Sequence, residues 1–159
     1  MEPASTSLPR LDLGLAQYWK VSGVREAAAF FRRLQHLMQP GGILYLEDGA
    51  HPQHFRHFLT QRACAPTMDV PFSTVWPRPY TVHLPVTNAL LLSLADQAQH
   101  MAEPQVCIHA HGYHGNRVVF VWFDAFFDPL MINIDVPEPA VASFCGELGA
   151  SYARVQGDV

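Results

Sequence analysis

The sequence predicts one α+β (mixed α/β) domain with a single sheet of about five strands, and three observations carry that expectation. Residues 105–136 alternate apolar and polar side chains in three runs separated by turn residues, the pattern of a C-terminal antiparallel three-strand meander. Two short apolar runs, around Ile43 and Val82, read as further strands. Stretches near 24–38, 51–64, 88–100 and 137–148 carry apolar residues at helical spacing, so three to four helices should pack on the apolar face of the sheet. A chain of 159 residues can bury a substantial core as one domain, 1–159.

Taken in order, residues 1–10 are rich in Ser, Thr and Pro and read as a mobile tail. From Leu11 to Val21, Leu11, Leu13 and Leu15 alternate and Tyr18-Trp19 follow, which fits either a short strand or an irregular packed arm. Ser22 is placed to cap the first helix, and Pro40-Gly41-Gly42 ends it. The strand at 43–46 runs into Glu47-Asp48, and Pro52 opens a helix carrying His51, His54 and His57 near its start. That arrangement could form a site, but turn chemistry and the helix dipole alone account for the acidic pair, and the structural reading is favoured. Four prolines make 65–79 a long loop, with Phe72 and Trp76 as aromatic anchors.

Residues 80–86 read as a strand, and Thr87 can cap the helix that follows. The crossovers through the helices at 51–64 and 88–100 could make part of the sheet parallel. Gly149 is a suitable stop for the last helix, and 152–159 reads as a second loose tail.

The meander fixes the expected site. A hairpin turn at Gly115-Asn116 pairs His114 with Arg117, which sets His111 opposite Phe120, His109 opposite Trp122 and Cys107 opposite Asp124. Ile108, Ala110, Val119, Val121, Phe123, Ile132 and Ile134 then share an apolar face. His109, His111, Phe120, Trp122, Asp124 and Asp135 share the other, with Asp124 across from Asp135 in one register of the third strand. Two imidazoles and two carboxylates on one surface could hold a divalent metal: zinc, iron or manganese. A metal-dependent hydrolase with a metal-bound water as nucleophile follows from that set. His-x-His is a weak motif by itself, and the same residues could be a solvated outer face.

The preferred reading is a non-enzymatic binding or protein-interaction domain. Its contact residues would be Phe120 and Trp122 on the sheet and Phe72 and Trp76 in the loop, with a second copy (a homodimer) or another protein as partner. A net charge of −4 without a basic stripe argues against nucleic acid and anionic membranes as partners. The apolar runs are too short to span a bilayer, and the first residues lack the basic and apolar regions of a signal peptide. Three cysteines with no Cys-x-x-Cys read as reduced thiols in a cytoplasmic protein. No GxGxxG, Walker or GxSxG sequence is present.

Overall fold

Seven strands pair into one sheet in the computed structural model, which describes residues 7–47, 50–72 and 79–156. In chain order they are β1 (Gln17–Ser22), β2 (Ile43–Glu47), β3 (Thr81–Pro85), β4 (His109–His114), β5 (Arg117–Trp122), β6 (Leu130–Asn133) and β7 (Ser151–Gln156). Their order across the sheet is β3-β2-β4-β5-β6-β1-β7. The α+β class and the meander β4-β5-β6 are as the sequence predicts. The strand count is higher for two reasons. The segment after Leu15 forms β1, which pairs with β6, and the expected C-terminal tail contributes β7, which pairs with β1. All six strand pairings are antiparallel, so the crossovers through helices produce no parallel pair among these strands.

Among the described residues five helices accompany the sheet: α1 (Ala27–Arg33), α2 (Gln53–Arg62), α3 (Asn88–Ala98), α4 (Glu103–Val106) and α5 (Glu138–Leu148). The first is shorter than its apolar spacing suggests. Ser22 belongs to β1, the N-cap is Glu26 without a side-chain hydrogen bond, and a 3-10 turn at Leu34–His36 completes the segment. α3 starts where expected, with Thr87 Oγ1 accepting the Leu90 N–H at 3.1 Å. α5 ends at Gly149, whose φ of +65° is the left-handed turn that glycine adopts without strain. α4 occupies residues expected to open the first meander strand, so β4 begins only at His109.

Side chains of α1, α2, α3 and α5 enter one core with one face of the sheet. Phe30, Phe31, Phe55, Leu94 and Phe144 meet Leu44, Leu84, Phe120, Trp122 and Ile132 there. The opposite face is covered too. Leu11, Met68 and Val70, with Leu13 and Leu15 partly buried beside them, close over Ile43, Tyr45, Tyr113, Val118 and Val121. Two backbone hydrogen bonds staple this cover together, Leu11 N–H to Asp69 O and Asp69 N–H to Pro9 O, each 2.8 Å. Met68 and Val70, not Phe72, are therefore the buried anchors of this loop, and Phe72 is 51% exposed. Trp76 lies outside the described residues.

The sidedness expected of the meander holds for only two pairs. His114 pairs with Arg117 and Tyr113 with Val118, as a two-residue turn dictates. A β-bulge then intervenes, and the next pairs are Gly112 with Phe120, His111 with Val121 and Ala110 with Trp122. Val119 is the extra residue. From that point β5 presents the faces opposite to those expected. Phe120 and Trp122 point into the helix-covered core, and Val121 shares the histidine side.

Gly112 explains where the slip occurs. A β-carbon at residue 112 would lie 2.4 Å from the Phe120 ring and 2.6 Å from the Met38 sulfur, so only glycine lets that ring lie across the strand. Burying two large aromatics, each contributing roughly 2–3 kcal/mol, outweighs one irregular ladder step. Gly112→Ala should therefore destabilise the fold by about 1–3 kcal/mol, read as a lower urea midpoint at unchanged m-value.

Candidate functional site

Strands β2, β3 and β4 send alternate side chains to the side covered by the 11–15 arm, and these include Glu47, His109 and His111, the buried polar residues among those described. Across the sheet Tyr45 pairs with both His83 and His111, and Glu47 pairs with His109. Glu47, His109 and His111 are all buried. The His111 ring stacks on Tyr45 at 5.6 Å between centroids, with the two planes 5° apart. The Tyr45 hydroxyl donates to Glu47 Oε1 at 2.9 Å, and His83 Nδ1 and the Tyr113 hydroxyl are hydrogen-bonded at 2.9 Å.

Both predicted histidines are engaged with backbone. Trp122 N–H donates to His111 Nδ1 at 3.2 Å, and Asp124 N–H donates to His109 Nδ1 at 3.0 Å. An Nδ1 that accepts leaves the ring proton of His111 on Nε2, so that imidazole is neutral. His111 Nε2 is buried without a hydrogen-bond partner among the described residues. Burial, reinforced by neighbouring His109, pushes the His111 pKa down from 6.5 to about 3. Burial and the adjacent Glu47 carboxylate hold the Tyr45 phenol above its ordinary range. Burial raises the Cys107 thiol to about 12, so it stays a thiol and lacks the thiolate that nucleophilic catalysis uses.

The expected metal set does not converge. His109 and His111 share a side, but Asp124 is an exposed turn residue that contributes its backbone N–H. Asp135 lies beyond β6, where its exposed carboxylate pairs with Arg117 at the opposite end of β5. The like-charge pairing of Asp124 with Asp135 therefore never arises. Among the described residues no group of three or more His, Cys, Asp or Glu is arranged to hold a metal ion. Phe120 and Trp122 are fully buried, so they belong to the core rather than to a contact surface. The histidines expected at the start of this helix divide: His51, ahead of α2, has its Nε2 2.7 Å from the Val106 carbonyl oxygen, while His54 and His57, within α2, are exposed. Asp48 lies outside the described residues.

What the structure brings to the surface instead is the turn between β5 and β6. Two non-glycine residues there have positive φ, Asp124 at +48° and Phe126 at +74°. For an aromatic residue that is a strained conformation. Phe126 packs its ring against Trp122 at 4.7 Å and Phe30 at 6.3 Å, and Phe127, next in the chain, is turned outward and 76% exposed. The residue that follows it, Asp128, lines a depression of about 240 Å³ together with Tyr18, Lys20, Phe123, Pro129 and Met131. A larger cleft of about 550 Å³, between the 3-10 turn and the β4-β5 hairpin, includes Arg117 and Asp135, which already neutralise each other.

The sequence does contain a signal for the first surface. Phe126-Phe127 precedes Asp128-Pro129, and adjacent side chains in so tight a turn cannot both enter one core. No protein-family model, curated protein or solved structure matches this chain, so its function has to be read from this geometry.

His111 gives the fold an acid sensitivity of definite sign. The unfolded chain protonates this imidazole near pH 6.5, whereas the folded chain resists until about pH 3. Stability is therefore lost as the pH falls through that window, by about 2 kcal/mol at pH 5 relative to pH 7.5. His111→Asn keeps an acceptor for the Trp122 amide but cannot titrate. Urea unfolding at the two pH values should show a pH dependence smaller by that amount in the variant.

Proposed function

We propose that this chain is a non-enzymatic protein-interaction domain whose contact surface is the β5-β6 turn and the depression beside it. The observation that carries this reading is Phe127, a large apolar side chain 76% exposed on a turn whose strained backbone holds it outward. An aromatic ring left in water gives up roughly 2 kcal/mol of burial energy, and a docking partner recovers it. Aromatic anchors seated in pockets dominate many interfaces. The depression is smaller than the roughly 300 Å³ at which pockets for drug-sized molecules begin, yet roomy enough for one side chain.

The Nδ1 atoms of the buried histidines fit the same reading, since both accept backbone amides and so serve the fold. All three cysteines are free, which agrees with a reducing compartment such as the cytoplasm. Among the described residues no helix is long and apolar enough to cross a membrane.

A photo-crosslinking amino acid at Phe127, with Leu92 on the exposed side of α3 as control, tests this in expressing cells. Leu92 is 55% exposed and distant in sequence from the turn. A discrete adduct from residue 127 and none from residue 92 is expected. No adduct from residue 127, or the same smear from both, would remove the proposal.

A further inference from the structure

We infer that the partner on this surface is a second copy of the chain, docked through a two-fold contact in which each Phe127 fills the other's depression. The inference rests on the interaction reading above and goes further by naming the occupant.

A two-fold interface joins one patch to itself, so the patch has to contain its own complement. This one does so twice. It presents a knob, Phe127, next to a hole of about 240 Å³ walled by Tyr18, Phe123, Pro129 and Met131, a lining suited to an aromatic ring. It also presents one cation and one anion on the rim of that hole, Lys20 and Asp128, both exposed. Neither is ion-paired with any described residue, whereas Arg33 with Glu147 and Arg117 with Asp135 are paired. A two-fold axis through the patch sets Lys20 of each copy against Asp128 of the other. A surface built for an unrelated protein needs only the knob or only the hole, and either sign of charge. The coexistence of both members of both pairs on one patch is what self-recognition requires.

The backbone fits this use. β1 holds Lys20 between Met131 of β6 and Ala153 of β7, so the cation stands on a rigid strand. Trp122 Nε1–H donates to the Asp128 carbonyl oxygen at 2.7 Å, which ties the anion's backbone to the core. The strained Phe126 fixes the direction of Phe127 before any partner arrives, reducing the ordering cost of association.

Sedimentation velocity over a micromolar concentration series tests the inference, with Lys20→Glu and Asp128→Lys as probes. Both positions are exposed, so the fold survives either change. Wild type should dimerise. Each variant alone sets like charges across the axis and should dimerise at least about tenfold more weakly. An equimolar mixture of the two variants, and the double variant, should regain wild-type association, because every contact is again between opposite charges. Phe127→Ser should be monomeric throughout the series. A wild-type chain that stays monomeric, single variants that associate as well as wild type, or a mixture that fails to associate would each overturn the inference. If residue 127 crosslinks only to a different protein while the wild type stays monomeric, the self-association is wrong and the interaction reading stands. If it crosslinks to nothing, both fall.

Discussion

The contact on which this molecule depends is that of the Phe120 ring with the bare Cα of Gly112. Hairpin chemistry at Gly115-Asn116 sets one register, and it survives for two residue pairs. The missing side chain at residue 112 then allows a large ring to cross the strand, and β5 slips by one. Because side chains alternate strictly, that slip moves every later residue of β5 to the other face. It sends Phe120 and Trp122 into the helical core, where Phe30 stands 4.9 Å from Trp122. It also brings backbone amides of Trp122 and Asp124 within reach of imidazoles on β4.

The two histidines are best understood in those terms. A bulge disrupts the regular ladder, and buried amides without acceptors are costly, on the order of 1–3 kcal/mol each. Beyond the bulge, at the end of β5, His111 and His109 supply nitrogen acceptors to the Trp122 and Asp124 amides. The requirement fixes the His111 tautomer and leaves its Nε2–H buried without a partner, in a ring stacked on Tyr45 and set edge-on to Phe123. Their task is to hold a distorted strand pair together. A histidine committed in this way is a poor candidate for metal binding through the same nitrogen.

The extent to which this was legible in the sequence follows from the same contact. Periodicity places α2, α3, α5, β2, β3 and the meander, because in those segments local pattern and tertiary burial agree. The Thr87 cap and the Gly149 stop are local chemistry and come out as expected. Gly112 is itself visible as a glycine inside a strand, a known mark of a bulge or a close approach, but what approaches it, Phe120, is set only by packing. Without that slip the alternation of β5 reads backwards, and the aromatics of the core pass for a surface while histidines of a buried layer pass for an open one. β7 has no apolar alternation strong enough to announce it: three of its six residues are Ser, Ala and Gln, and it exists because β1 offers an edge.

The exposed patch and the bulge are parts of one mechanical unit. Trp122 is oriented by the slip, and its indole N–H holds the Asp128 carbonyl. Phe126 reaches back onto that same indole, at the cost of a backbone angle that aromatic residues avoid. Asp124, the other strained residue, is tied by its amide to His109. Strain of roughly 1–3 kcal/mol per residue persists only where surrounding contacts over-determine it, and here a buried indole and a buried imidazole do so. With both ends of the turn fastened to the core, Phe127 has one direction left, and that direction is outward. The exposure of this ring is therefore a consequence of how the core is packed and not of a slack loop, which is why it can act as a rigid element of recognition.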